Sequence, residues 1–362
     1  MDPILEVDGL ITEFQTPDGT VRAVDSVSLQ VHRGEVVGLV GESGCGKSVT
    51  ALSLMRLVSP PGRIVAGSVR LKGADILQMT DPELRAVRGA SIAMIFQDPM
   101  TSLNPALTIG RQISESLELH LGMSGAAARK RTIDLLALVG IPNPGERVKQ
   151  YPHQFSGGMR QRAMIATALA CNPDLIIADE ITTALDMTIQ AQILELLKSV
   201  SKEFGTAIII VTHDLGVVAG MANRVTVMYA GRIVEQAPTV ELFGNPRMPY
   251  TWGLLRSSPR LDADRRSRLT PIEGLPPDLL APPPGCRFEP RCAYRRDVCR
   301  ATEAPLTTVP HASRDHAARC WGTQDTPEGG WLVGLDWRSD ETSPGKAAPD
   351  PVARIGFEVA KA

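Results

Sequence analysis

An α/β fold built on a largely parallel sheet is predicted by three features of the chain. Strand-like apolar runs alternate with helical stretches. One run, Glu35-Val36-Val37-Gly38-Leu39-Val40, leads directly into Gly41-Glu42-Ser43-Gly44-Cys45-Gly46-Lys47-Ser48 and then into a helical pattern. Another, Leu175-Ile176-Ile177-Ala178, ends in two carboxylates, Asp179 and Glu180.

Taken in order, residues 3–42 read as strands separated by Gly and Asp turns. The last of them is almost wholly apolar, as a strand covered on both faces would be. Residues 48–58 read as a helix stopped by Ser59-Pro60-Pro61-Gly62. Residues 103–121 and 125–140 suit helices, and 188–204 forms a helical stretch between the strand-like runs 175–178 and 206–212. After about residue 250 the composition changes. Pro and Arg dominate 259–319, where Pro276-Pro277 and Pro282-Pro283-Pro284 prevent regular elements. The polar, acidic stretch 323–362, with two isolated Trp residues, is expected to be a loosely ordered tail.

Hydrophobic residues at 43% and charged residues at 22% exclude a wholly disordered chain. Lys and Arg number 38 against 40 Asp and Glu, so the chain lacks the bulk basic footprint of a nucleic-acid-coating protein, and no nucleic-acid partner is expected. No apolar run approaches the roughly 20 residues that cross a bilayer. Residues 1–10 carry acids and no apolar signal core. A cytosolic chain is expected, with any membrane role exercised through a partner.

The 41–48 loop carries the strongest chemical signal. Its glycines let the backbone curl so that several N–H groups converge on one anion, and the following helix adds the positive end of its dipole. Lys47 would reach the β- and γ-phosphates of a nucleotide and Ser48 would hold Mg²⁺. Asp179, at the C-terminal edge of its strand, suits Mg²⁺ coordination, and Glu180 suits activation of an attacking water. A second anion site is suggested by Phe155-Ser156-Gly157-Gly158-Met159, where Ser156 suits an N-cap and two glycines expose N–H groups at a helix start. Two separate phosphate-binding surfaces for one ATP imply a dimer.

Together with Gln97 in Phe96-Gln97-Asp98-Pro99, Ala184-Leu185-Asp186 and His213 in Val211-Thr212-His213-Asp214, these motifs stand in the order typical of ABC transporter ATPase subunits, which the chain resembles over residues 4–250. More narrowly, residues 97–105, 182–186 and 287–320 resemble the oligopeptide and dipeptide importers. The resemblance implies a P-loop ABC fold (1–250) with a mixed sheet core and an inserted helical subdomain at about 98–165. It also implies a small irregular C-terminal extension (251–322). Gly41, Glu42, Ser43, Gly44, Cys45, Gly46, Lys47, Ser48 and Val49 would bind ATP, with Phe14 stacked on adenine. Gln97 would contact Mg²⁺ or the attacking water, and His213 the γ-phosphate. Ser156, Gly157, Gly158 and Asp186 would face the ATP held by a partner.

The implied activity is ATP hydrolysis driving peptide import through two transmembrane permease subunits. A second ATPase subunit, as a heterodimer with a paralogue, and an external solute-binding protein complete the partners, and the chain would lie on the cytoplasmic face of the membrane. Similar subunits serve nickel and other small solutes, and this subunit never meets the cargo. Soluble ABC ATPases of chromosome maintenance insert a long coiled coil that is absent here, and translation-type members carry two ATPase units per chain. A non-hydrolysing scaffold is disfavoured by the intact Lys47, Asp179, Glu180 and His213.

The signature reads Phe155 and Met159 where the family has Leu and Gln, and Ile181 follows the catalytic Glu where Pro is usual. Cys45 lies inside the phosphate loop, where thiol modification would block nucleotide. Cys286, Cys292, Cys299 and Cys320 fall within 35 residues as C-x5-C-x6-C-x20-C. This spacing matches neither zinc ribbons nor common ferredoxins. Four thiolates hold either Zn²⁺ or a [4Fe–4S] cluster, and the resemblance favours [4Fe–4S]; unligated thiols remain the third reading. Arg287, Arg291, Arg295, Arg296 and Arg300 are expected to offset a cluster's negative charge.

Overall fold

A computed structural model describes residues 2–181, 187–258, 271–310, 312–325, 329–333 and 337. The chain begins with β1 (Leu5–Thr16), β2 (Gly19–Val31), β3 (Val36–Val40), α1 (Lys47–Leu54), β4 (Gly62–Leu71) and β5 (Ala74–Asp75). Helix α2 (Asp81–Val87) and β6 (Ile92–Ile95) lead to α3 (Pro99–Ser102), α4 (Ile109–Leu121), α5 (Gly125–Leu138), α6 (Pro144–Arg147) and α7 (Gly157–Leu169). It returns through β7 (Leu175–Asp179), α8 (Met187–Phe204), β8 (Ala207–Thr212), α9 (Leu215–Met221), β9 (Arg224–Tyr229) and β10 (Arg232–Pro238). Among the described residues beyond α10 (Thr239–Gly244) and α11 (Pro249–Ser257) come α12 (Asp297–Ala301) and the two-residue strands β11 (Thr307–Thr308) and β12 (Ala317–Ala318), apart from single 3₁₀ turns.

The long sheet runs β11-β12-β10-β9-β3-β8-β7-β6. Strands β9, β3, β8, β7 and β6 are parallel, whereas β10 turns back antiparallel on β9, so the sheet is mixed. Every residue of β3, β7 and β8 is buried, which is why these segments read as continuous apolar runs. Ile176, Ile208 and Ile210 face helices α4, α5, α7 and α8. Val37, Ile177 and Ile209 face α1 and a four-stranded antiparallel sheet of β2-β1-β4-β5. This double cover fixes the C-terminal edges of the parallel strands, where functional side chains of such sheets gather.

Two helix boundaries differ from the sequence expectation. α1 stops at Leu54 rather than near 58, because Arg56 takes a left-handed φ of 53° and the Leu57 N–H returns to the Leu52 carbonyl. The Arg88 guanidinium then takes the Met55 and Arg56 carbonyls that the helix leaves open. α4 starts only at Ile109, where Thr108 Oγ1 caps the Arg111 N–H at 3.2 Å, and Asp98 caps the separate single turn α3.

A third apolar cluster joins the last cassette strands to the C-terminal region through Tyr229, Tyr250, Trp252 and Phe288. Strand β12 pairs with β10, extending the long sheet. Part of the stretch expected to be loosely ordered is docked: Leu332 and Trp337 are buried in this cluster, and Trp331 Nε1 donates to the Tyr294 carbonyl at 3.0 Å. The two Trp residues supply the apolar area that the surrounding polar sequence lacks. No helix among the described residues is long and apolar enough to cross a membrane.

Candidate functional site

The 41–48 loop sits between β3 and α1 at the C-terminal edge of the parallel strands. Its curvature requires glycine at two points. Gly46 has φ +105° and an added Cβ would lie 2.2 Å from the Ala23 carbonyl oxygen, while a Cβ on Gly41 would lie 2.2 Å from that of Met228. Lys47 is buried, its Nζ donating to the carbonyls of Gly41 at 2.9 Å and Glu42 at 3.0 Å. No side chain caps α1 at Gly46, so the helix's leading N–H groups face the loop without a side-chain acceptor.

Ser48 Oγ donates to Asp179 Oδ1 at 3.0 Å, tying α1 to the end of β7. Burial pushes the Asp179 carboxyl up to about 6, with Glu180's charge adding to the shift and Ser48 and Lys47 opposing it. Glu180 follows in the left-handed region at φ +45°. Its Oε2 accepts from Gln97 Nε2 at 2.8 Å, and its Oε1 lies 3.4 Å from His213 Nδ1. Gln97 follows β6 and His213 follows β8, so three neighbouring strands deliver these groups to one place. Lys47, Ser48, Asp179, Glu180, Gln97 and His213 are thus brought together: a cation, a hydroxyl and a carboxylate beside a second carboxylate held by an amide and an imidazole.

The 155–159 segment opens α7, where Ser156 Oγ caps the Met159 N–H at 3.3 Å. Ser156 and Gly157 are exposed, and nothing approaches within 4 Å of a Cβ placed on Gly157. Phe155 is buried and Met159 packs on the same apolar cluster, so both departures from the signature keep an inward apolar role. Ile181 likewise is buried in that cluster. The partly buried Phe14 has its ring against Gly62 on β4. Asp186 lies outside the described residues.

Cys286, Cys292, Cys299 and Cys320 line one small cavity with Phe288 and Tyr294. Burial pushes the Cys286 thiol up to about 11 and Cys292 up to about 12, and the neighbouring cysteines add to both shifts. Burial and the other three cysteines also raise Cys320. Among the described residues, no group of three or more His, Cys, Asp or Glu side chains is arranged to hold a metal ion. The arginines around the cavity have hydrogen-bond or ring partners of their own, while the charges of Arg295 and Arg296 still oppose the rise of the Cys292 and Cys299 thiols. Arg287 bonds Asp25 and the Ala230 carbonyl, and Arg291 bonds Glu42. Arg295 and Arg300 pair with Glu289, and Arg296 covers the Trp331 ring at 4.4 Å.

Contacts between the C-terminal region and the phosphate loop went unread in the sequence. Tyr250 Oη accepts the Glu42 N–H at 2.8 Å, and Arg291 grips the Glu42 carboxylate. The only sequence signal was the position of Arg291 next to Cys292.

Residues 24–183 match the family model described as ABC transporter, and residues 234–299 match that of the oligopeptide/dipeptide transporter C-terminal region. Over 322 residues the chain is 53% identical to the dipeptide transport ATP-binding protein DppD of Bacillus subtilis (strain 168), covering 89% of this chain and 95% of that protein. The chain belongs to the ATP-binding subunits of the oligopeptide/dipeptide ABC transporter family. As a family member it is an ABC-type ATPase. It is also 52% identical over 296 residues to the oligopeptide transport ATP-binding protein OppD of Salmonella typhimurium, covering 82% of this chain and 88% of that protein. Among solved structures it resembles the dimeric post-hydrolysis state of the ATP-binding cassette MJ0796 bound to ADP and Pi. The TM-score is 0.60 at 29% identity, covering 65% of this chain and 98% of that one.

Proposed function

We propose that this chain hydrolyses ATP to energise peptide import through separate permease subunits on the cytoplasmic face of a membrane. The observation that carries the reading is the gathering of Lys47, Ser48, Asp179, Glu180, Gln97 and His213 at one strand edge, in a chain whose relatives are named as dipeptide and oligopeptide transport ATP-binding proteins.

In this reading the 41–49 segment cradles the triphosphate and Lys47 leaves its loop carbonyls for the β- and γ-phosphates. Phe14 stacks on adenine. The oxygen donors of Ser48, Asp179 and Gln97 suit Mg²⁺, which supplies neutralisation of phosphate charge when bound. Glu180 accepts a proton from water, whose oxygen bonds to the γ-phosphorus as the bond to the β-bridging oxygen breaks, releasing ADP and phosphate. Gln97 and His213 hold Glu180 in line, and His213 faces the γ-phosphate. Ser156, Gly157 and Gly158, with Asp186, close on ATP held by a second subunit, which we read as a paralogue. The exposed N-terminus of α7 and the dimeric MJ0796 cassette support that closure. An external solute-binding protein supplies the peptide.

We read the four cysteines as ligands of a [4Fe–4S] cluster, with Zn²⁺ as the alternative, although they are not arranged here to hold a metal ion. Their common cavity supports a shared ligand. Iron and sulfide analysis of protein purified without oxygen distinguishes the two.

The transport reading is tested in proteoliposomes holding this chain, its permease subunits and its paralogue, with peptide-loaded binding protein outside. ATP-dependent peptide accumulation, lost in Glu180→Gln, is expected. Accumulation of nickel in place of peptide, or ATP hydrolysis without movement of either, overturns it.

A further inference from the structure

The C-terminal region touches the phosphate loop at one residue from two directions. Tyr250, buried in α11, accepts the Glu42 N–H at 2.8 Å. Arg291, from the turn that ends at Cys292, donates from Nη1 to Glu42 Oε2 at 2.7 Å and from Nη2 to Oε1 at 3.0 Å. The Arg291 side chain is only 4% exposed. Its remaining donors are also satisfied: Nε meets the Glu273 carbonyl at 3.0 Å, Nη2 that of Ile272 at 3.2 Å, and Nη1 the Tyr229 hydroxyl at 3.4 Å. A forked pair of this kind fixes direction as well as distance, because both N–H vectors and both oxygens must align.

Glu42 matters because its own carbonyl holds Lys47 Nζ at 3.0 Å, and Gly41 beside it supplies the other acceptor. The orientation of the Glu42 peptide therefore sets where the lysine waits. The same arginine also neutralises a carboxylate that would otherwise stand within a loop built for an anion. Four residues before Arg291, Arg287 bonds buried Asp25 and the Ala230 carbonyl, which anchors the cysteine-bearing segment to the cassette at a second point.

We propose that Arg291 is a positioning residue for nucleotide binding. It acts through Glu42 to hold the phosphate loop in the curvature that receives a triphosphate, which makes the C-terminal extension part of the nucleotide site. This rests on the 41–48 loop being the ATP loop.

The test uses the full chain, titrated with Mg·ATP for affinity and assayed with its permease partners for kinetics. Arg291→Ala is expected to weaken ATP binding about tenfold, equivalent to about 1.4 kcal/mol, raising KM far more than it lowers kcat. Arg291→Lys, which cannot fork, recovers little of the loss. In a Glu42→Ala background Arg291→Ala should weaken ATP binding little further, since Glu42 is its contact within the loop. Should Arg291→Ala fold poorly, Glu42→Gln breaks the ion pair from the cassette side and is expected to weaken binding several-fold. Unchanged affinity in Arg291→Ala or, where that variant fails to fold, in Glu42→Gln overturns the proposal. So does an Arg291→Ala penalty that persists undiminished in the Glu42→Ala background. Lys47→Ala separates the two failures: if it too binds ATP normally, the loop assignment falls as well, whereas if it loses binding only the role of Arg291 falls.

Discussion

Ser48 and Asp179, 131 residues apart in sequence, share a 3.0 Å hydrogen bond that closes the first turn of α1 onto the end of β7. The bond spans the position where the donor set suits Mg²⁺ and holds the two oxygen donors against each other. Asp179 is buried, and burial first, then Glu180, raises its carboxyl to about 6 from an ordinary 3.8.

The sign of that shift makes the ionised Asp179 costly to the folded chain. A carboxyl with a raised folded pKa weakens stability once it is ionised in both states, so the penalty is absent below about pH 4 and complete above about pH 6. Asp179→Asn keeps an oxygen for Ser48 and removes the charge. It is expected to stabilise the nucleotide-free chain by up to about 3 kcal/mol at pH 7.5, with the gain shrinking towards zero near pH 4. Urea denaturation across that range measures it, and the same variant should lose Mg·ATP affinity.

Glu180→Gln retains the shape of the side chain and its contact with Gln97 but cannot take a proton. Its hydrolysis rate is expected to fall by roughly 10²- to 10⁴-fold while ATP still binds, so ATP-bound dimers accumulate on size exclusion. A variant that hydrolyses ATP normally would move the base elsewhere.

Ser156 is expected to serve two ends that substitution can separate. Ser156→Ala removes the cap on α7 and should cost about 1 kcal/mol. Ser156→Asp retains a capping oxygen, and so most of the stability, yet turns a carboxylate towards a partner's triphosphate. Thermal unfolding should rank Asp near wild type and Ala below it, whereas ATPase activity should be lowest for Asp.

Gly46→Ala tests the loop's backbone directly. A methyl there would meet the Ala23 carbonyl at 2.2 Å in a left-handed conformation, neither of which a side-chain rotation relieves. ATP binding is expected to be lost while the rest of the chain still folds, as circular dichroism and a nucleotide titration would show together.

The parallel core was legible because β3, β7 and β8 are buried on both faces and therefore carry unbroken apolar runs. The gathering of Lys47, Ser48, Asp179 and Glu180 at their ends was legible because a glycine-rich turn before a helix and a strand-end carboxylate pair each carry fixed residue types at fixed spacing. Helix ends were less so. Arg56 ends α1 through its backbone conformation and Arg88 satisfies the carbonyls left behind, and neither event leaves a local pattern. The docking of Leu332 and Trp337 was hidden because two apolar residues in polar surroundings carry no periodicity. Arg291 was noticed for its cysteine neighbour, yet its partner Glu42 lies 249 residues away, a pairing that only folding brings about.

Lys47 waits with its ammonium on the Gly41 and Glu42 carbonyls. With both bonds made, the ammonium is not bare to passing polyanions. A ligand must out-compete two internal bonds at once, which a single weak anion does poorly and a triphosphate with several oxygens does well. Such a loop would act as a threshold, selecting by the number of contacts a visitor brings.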